Sequence, residues 1–109
     1  MAELDSDRPA EAVIETPADP TGVPLVKVSG EVDISNADQL AETVSAITAN
    51  SPDRIVFDLN GLRFMDSAGI AVLLGAAAKV NKVGVRNPSP AVRRVVELTG
   101  LTDVLSIEP

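Results

Sequence analysis

The chain contains no cysteine and no histidine in its 109 residues. The absence of cysteine excludes a disulfide framework, a thiolate nucleophile and a thiolate metal site. The absence of histidine removes the usual general base near neutral pH and the commonest transition-metal ligand. Acidic, serine and lysine side chains could still support catalysis, but the sequence shows no perturbing group or substrate pocket beside them. We therefore expect no enzymatic activity, no metal site and no cofactor.

Aromatic residues and clustered basic residues are also scarce. Phe57 and Phe64 are the only aromatic side chains, so the chain lacks a platform on which nucleic-acid bases could stack. The formal net charge is −7, and residues 1–20 carry six acidic side chains against one basic one. The rest of the chain is nearly balanced, with ten acidic and eight basic residues. Because no basic stripe is present, we expect no direct binding to nucleic acid.

Long apolar runs are missing as well. The longest, Ala68 to Ala78, is far shorter than the ~20 residues that span a bilayer. The first residues are acidic and lack the apolar centre of a secretory signal. We expect no membrane insertion and a cytoplasmic location.

The residues that are abundant predict one α/β domain behind a short lead-in. Residues 1–10 are polar, acidic and contain Pro9, a composition typical of a disordered segment. From residue 11 to residue 109 the hydrophobic side chains are mainly aliphatic, which suits a sheet covered by helices. We predict a disordered lead-in at 1–10 and a single domain at 11–109.

Hydrophobic periodicity predicts the element order β-β-α-β-α-β-α-β, and hence a mixed, mostly parallel sheet of four to five strands with three to four helices. The predicted strands are Glu11–Thr16 at an edge, Val23–Ser29, Arg54–Leu59, Val83–Arg86 and Val104–Ile107. The predicted helices are Ser35–Asn50, Ser67–Val80 and a third that begins at Ser89-Pro90 and ends at Gly100.

Particular residues set the expected boundaries. Ser35 or Asn36 can cap the first helix, and Asn60 with Gly61 is expected to end the buried strand Arg54–Leu59 that precedes the second helix. The helix from Ser67 is apolar around most of its circumference, which predicts that it is buried on all sides.

The opening of that helix, Asp66-Ser67-Ala68-Gly69, is the most informative segment. A helix start presents unpaired N–H groups and about half a positive charge, so a phosphate on Ser67 could be accommodated there. Asp and Ser are also among the best capping residues, so plain capping explains the pattern equally well. The spacing alone leaves both interpretations open.

Three segments carry a resemblance to a known family. They are Gly30–Asp33 (GEVD), Asp58–Leu74 (DLNGLRFMDSAGIAVLL) and Asn87–Leu101 (NPSPAVRRVVELTGL). In this order they resemble the anti-sigma factor antagonists of the STAS family, which predicts a single STAS-like domain. Lys79–Arg86 is shorter than the glycine-containing loop common in that family, which leaves the end of the second helix and the fourth strand open.

The resemblance implies a function for the chain and a role for each site residue. An antagonist of this family binds an anti-sigma factor, a serine protein kinase, and so frees the sigma factor. Phosphorylation at the position of Ser67 releases the antagonist, and a phosphatase acting on phospho-Ser67 would restore binding. The implied partner-binding residues are Asp33, Asp66, Ser67, Ala68 and Gly69, with Asp33 near Ser67 at one end of the sheet.

Two other interpretations compete with this one. The chain could be a STAS subunit of a membrane transport complex, docked on a cytoplasmic ATPase or permease; the DSAG segment at Asp66–Gly69 favours the antagonist. A stand-alone hydrolase or nucleotide-binding enzyme is disfavoured, because histidine, cysteine and a phosphate-binding loop are all missing.

Overall fold

The computed structural model describes residues 11–100 and 104–108, in which five strands and three helices follow one another along the chain. The strands are β1 (Ala12–Glu15), β2 (Leu25–Val32), β3 (Arg54–Met65), β4 (Lys82–Arg86) and β5 (Leu105–Glu108). The helices are α1 (Ala37–Thr48), α2 (Ser67–Ala77) and α3 (Pro90–Leu98). The predicted element order and fold class are confirmed; the predicted lead-in at 1–10 lies outside the described residues.

The strands form one sheet in the order β1-β2-β3-β4-β5. β1 pairs with β2 antiparallel, and the other neighbouring pairs are parallel. The β1–β2 connection turns at Asp19, whose carboxylate Oδ1 accepts hydrogen bonds from the backbone N–H and the hydroxyl of Thr21 at 2.7 and 2.5 Å. The initial hairpin and its edge strand are therefore confirmed.

One face of the sheet carries the core. Alternate residues of the central strands, such as Ile55, Phe57 and Leu59 of β3, are fully buried in a single hydrophobic cluster that also takes in residues of all three helices. This alternation is the period of a strand with one face against helices. Val56 is also buried but lies outside that cluster.

The opposite face of the sheet, which we call the charged face, carries a row of side chains of alternating sign. The register places them directly opposite one another across all five strands: Glu15, Lys27, Asp58, Arg86 and Glu108. Glu108 contacts the guanidinium groups of both Arg54 and Arg86, the latter at 3.4 Å. Such cross-strand pairs favour the observed register.

The prediction that Asn60 and Gly61 end β3 is wrong. β3 continues to Met65, and its pairing with β2 shifts twice, between Lys27 and Ser29 and again between Gly30 and Glu31. At each shift β3 contains one more residue than β2. Asn60 and Gly61 therefore lie inside β3, at an irregularity in its pairing, instead of forming a turn. Consequently no loop separates β3 from α2 except Asp66.

The predicted caps and ends of the first two helices also need correction. Asn36 occupies the N-cap position of α1, but its side chain makes no capping hydrogen bond; it accepts from the N–H of Asp33 and donates to the carbonyl of Glu31. α2 ends at Ala77 instead of Val80 and is not buried all round, because Ala71 and Gly75 are exposed. Because alanine and glycine are small and uncharged, the pattern of polar and apolar residues does not reveal this solvent-facing side.

The third helix agrees with expectation. The Ser89 hydroxyl accepts from the N–H of Val92 at 3.2 Å, Pro90 follows at the first helical position, and Gly100 has a left-handed φ of +73° after the helix end. Although Lys79–Arg86 is short, β4 still forms within it and pairs with β3 and β5. Across residues 11–100 and 104–108, none of the helices has the length and apolarity needed to cross a bilayer.

Candidate functional site

Ser67 is the first residue of α2 and its side chain is exposed. The helix is capped by the residue before it: Asp66 is extended, with φ −96°, and its Oδ1 accepts a hydrogen bond from the N–H of Ala68 at 2.8 Å. Within the described part of the chain the Ser67 hydroxyl has no hydrogen-bond partner. Capping therefore accounts for Asp66 but leaves the hydroxyl of Ser67 unused.

The start of α2 is attached to the end of the neighbouring strand. The N–H of Asp66 donates to the carbonyl of Val32 at 3.1 Å, and Val32 pairs with Met65 in the sheet. Asp33 and Asp66 thus follow the ends of two adjacent parallel strands. The structure brings Asp33, Asp66 and Ser67 to one edge, the carboxyl edge of the sheet, as the family resemblance implied.

Asp33 is committed to the turn that connects β2 to α1. Its Oδ1 accepts hydrogen bonds from the backbone N–H of Ser35 at 2.8 Å and from the Ser35 hydroxyl at 2.6 Å. Its own N–H donates to the side-chain oxygen of Asn36 at 2.9 Å, and its carbonyl accepts from the N–H of Ala37 at 2.9 Å. The half-buried carboxylate is therefore a bracing element of the turn as well as a charge at the edge.

Ala68 and Gly69 occupy different environments. Ala68 is half-buried, whereas Gly69 is buried against the sheet. A Cβ at position 69 would collide with the Met65 side chain and would lie 3.1 Å from Cγ1 of Val32. Gly69 consequently permits the close approach of α2 to β2 and β3, and its surface contribution is small.

The electrostatic character of this edge is acidic. Asp33, Asp38 and Asp66 lie on or next to it, and none of them forms an ion pair with another described residue. In the part of the chain that the structure describes, no group of three or more acidic side chains is arranged to hold a metal ion. The edge is suited to a surface of opposite charge.

Sequence reasoning missed Ile34, which lies between Asp33 and Ser35. Its side chain is 84% exposed, more than that of any other large hydrophobic residue described. An isoleucine within a polar turn between a strand and a helix was the available signal.

The exposed side of α2 continues from Ser67 through Ala71 and Gly75. It borders a groove of about 250 Å³ between α1 and α2, whose walls include Ala41, Ser45 and Lys79. The surface around Ser67 is therefore broad and built from small side chains, which leaves room for a macromolecular partner.

Comparison with known proteins gives consistent results. Residues 16–109 match the STAS domain. The anti-sigma-F factor antagonist RsfB of Mycobacterium tuberculosis is 31% identical over 94 residues, covering 84% of this chain and 77% of that protein. The anti-sigma F factor antagonist of Paenibacillus polymyxa is 34% identical over 91 residues, covering 79% and 78%. A crystal structure of an anti-sigma factor antagonist from Mycobacterium paratuberculosis superposes with a TM-score of 0.83 at 33% identity, covering 91% of this chain and 86% of that one.

Proposed function

This chain belongs to the STAS domain family, and we propose that it is an anti-sigma factor antagonist switched by phosphorylation at Ser67. Unphosphorylated, it binds an anti-sigma factor of the serine kinase type in the cytoplasm and so frees a sigma factor. Phosphorylation releases it, and a phosphatase acting on phospho-Ser67 restores binding. The antagonist names of the relatives described above support this proposal over a transport subunit.

The observation that carries the proposal is the free hydroxyl of Ser67. The carboxylate of Asp66 already caps α2, so a phosphate on Ser67 displaces no hydrogen bond that the fold needs. The remaining N–H groups of the first turn and the helix dipole favour an anion there by about 0.3–1 kcal/mol. Phosphorylation should therefore leave the domain folded.

The same phosphate is poorly tolerated inside an interface. It adds about −1.5 to −2 charge at neutral pH, next to the carboxylates of Asp33 and Asp66. Removing that charge from water, or placing it against an acidic group of the partner, costs several kcal/mol. At ~1.4 kcal/mol for each tenfold change in affinity, a loss of a hundredfold or more is expected.

The residues divide into four roles under this proposal. Ser67 is the switch, Asp66 fixes the helix start, and Asp33 with Ala68 contributes to the partner surface, while Gly69 supports it from beneath. The interacting domain is residues 11–109, with the acidic segment 1–10 as a dispensable lead-in. No turnover of nucleotides or esters is expected from the isolated protein.

The experiment first recovers the anti-sigma factor from cell lysate with the unmodified protein and identifies it by mass spectrometry. The affinity of the purified pair is then measured for wild type, Ser67→Ala and Ser67→Glu. We expect Ser67→Ala to bind constitutively and accept no phosphate, and Ser67→Glu to fold normally but bind at least about a hundredfold more weakly.

Thr16→Glu is the matched control, because exposed Thr16 follows β1 at the end of the sheet opposite Ser67. It introduces the same charge and should leave the affinity unchanged. Phosphate located on another residue after incubation with kinase and ATP, or a Ser67→Glu protein that binds like wild type, would overturn the assignment.

A further inference from the structure

Ile34 is held out into solvent by a braced turn. Its 84% exposure exceeds that of Leu98, the next most exposed large hydrophobic residue described, at 75%. Isolated exposed apolar side chains are common and need no explanation by themselves. Ile34 differs because its turn is rigid and because of where that turn lies.

The rigidity comes from hydrogen bonds on both sides of Ile34. Asp33 Oδ1 accepts hydrogen bonds from the backbone N–H and the hydroxyl of Ser35. The Asn36 side chain accepts from the N–H of Asp33 and donates to the carbonyl of Glu31. A side chain on a turn already ordered in the free protein loses little conformational entropy when a partner covers it. The turn therefore presents Ile34 ready for binding.

The position of the turn ties it to the switch. Val32, the residue before Asp33, pairs with Met65 and accepts the hydrogen bond from the N–H of Asp66. Ile34 and Ser67 thus lie two residues beyond the carboxyl ends of two adjacent parallel strands. A partner that senses the charge on Ser67 also lies within reach of Ile34.

We propose that Ile34 is the apolar anchor with which this protein enters a pocket of the anti-sigma factor, and that Asp33 is a positioning residue that holds its turn. This inference rests on the proposed function and deepens it. The carboxylates of Asp38 and Asp66 near the anchor predict basic residues at the rim of that pocket. Buried apolar anchors surrounded by a polar rim dominate the affinity of protein interfaces.

The test measures the affinity of unphosphorylated variants for the anti-sigma factor identified in the lysate experiment. Ile34→Ala should weaken binding about tenfold or more, with the melting temperature unchanged. Leu98→Ala is the matched control: its side chain has similar exposure but lies at the end of α3, away from the carboxyl edge. It should bind within about twofold of wild type, a change too small to mark an interface anchor.

Two Asp33 variants separate positioning from charge. Asp33→Asn keeps an oxygen that can accept from Ser35, so it should retain most of the affinity that Asp33→Ala loses. If Asn and Ala weaken binding equally, Asp33 acts through its charge and the positioning role is wrong.

The absence of cysteine allows a direct readout at the anchor. Ile34→Cys, labelled with an environment-sensitive fluorophore, should shift its emission to the blue when the anti-sigma factor binds, whereas labelled Leu98→Cys should not. If Ser67→Glu abolishes binding but Ile34→Ala and the probe show no change, the anchor is wrong and the switch stands. If wild type binds no anti-sigma factor, the proposed function fails and the anchor fails with it.

Discussion

At the carboxyl edge of the sheet, the carboxylates of Asp33 and Asp66 accept hydrogen bonds from their own backbone segments and form no ion pair with another residue that the structure describes. On the charged face, by contrast, each ionised side chain of the row from Glu15 to Glu108 stands opposite one of the other sign. Both regions are rich in charge. They differ in whether the charge is balanced within the chain.

This difference separates charge that maintains the fold from charge that is available to a partner. A row of alternating sign has almost no net field, so it favours the strand register without attracting a charged surface. The carboxyl edge has carboxylates without an ion-pair partner among the described residues, beside an exposed isoleucine and a serine hydroxyl that has no described hydrogen-bond partner. Charged and apolar side chains that make few contacts within the fold therefore lie together at the carboxyl edge.

The largest stability effect should come from glycine substitutions that compare the two regions. Gly69→Ala forces a Cβ against Met65 and Val32 in the core, where overpacking costs about 1–3 kcal/mol. Better helix propensity returns up to about 1 kcal/mol of that cost. We expect a net loss of about 1–2 kcal/mol, or roughly 4–16 °C in melting temperature.

Gly84→Ala is the counterpart on the charged face. Its Cβ would meet the carboxylate of Glu108, the movable end of a partly exposed side chain. Displacing this ion pair costs at most about 1 kcal/mol, and replacing glycine in a strand returns about 0.5–1 kcal/mol. The free energy of unfolding measured in urea should differ from that of wild type by no more than about 0.5 kcal/mol. A Gly84→Ala protein that is destabilised more than Gly69→Ala would contradict the expected difference between the two regions.

Removing a charge from the charged row should destabilise the protein less than Gly69→Ala does. Glu108→Gln keeps a hydrogen-bond acceptor but removes the charge shared by Arg54 and Arg86, which should lower the free energy of unfolding by about 0.5–1 kcal/mol at low salt. The loss should shrink at about 1 M salt, where the Debye length is ~3 Å.

Glu97→Gln provides the control for that measurement. Glu97 meets Arg93 at 3.6 Å in an exposed pair one helical turn apart, which is worth about 0.3–0.5 kcal/mol. A Glu108→Gln effect no larger than that of Glu97→Gln would mean that the row adds nothing beyond ordinary surface pairs.

The sequence was sufficient for features fixed within a few residues. The order of elements, the Ser89-Pro90 start of α3 and its end at Gly100 follow from local capping and periodicity, and the structure agrees. At the candidate site, the helix start at Ser67 followed from the strand-helix order, whereas the shared edge with Asp33 followed from the family resemblance.

Features set by contacts between distant segments could not be read from the sequence. β3 runs past Asn60 and Gly61 because it stays paired with β2 through two shifts of register, at each of which β3 contains one extra residue. Asn36 does not cap α1 because its side chain is already hydrogen-bonded to the carbonyl of Glu31 and the N–H of Asp33. The charged row exists only after five strands are aligned, and the exposure of Ile34 depends on the braced turn.

The smallest predicted effect concerns Asp19, in the connection that leads from β1 to β2. Hydrogen bonds from the hydroxyl and then the backbone N–H of Thr21 lower the pKa of Asp19 below 3.8. Burial opposes them, and the charge of Arg86 on the charged face adds the smallest lowering effect. Because the folded pKa is the lower one, ionised Asp19 contributes stability that is present above about pH 3.8 and is lost as the pH falls through the folded pKa. Asp19→Asn keeps an acceptor for Thr21 but removes the charge, so it should melt slightly below wild type near neutral pH, and the gap should narrow as the pH falls below 3.8 through the folded pKa. Exposed Glu42, which forms no ion pair with another described residue, gives the control Glu42→Gln, whose melting temperature should match wild type at neutral pH. A gap for Asp19→Asn that stays constant or widens in acid would show that this carboxylate does not link the connection to the charged face through its ionisation.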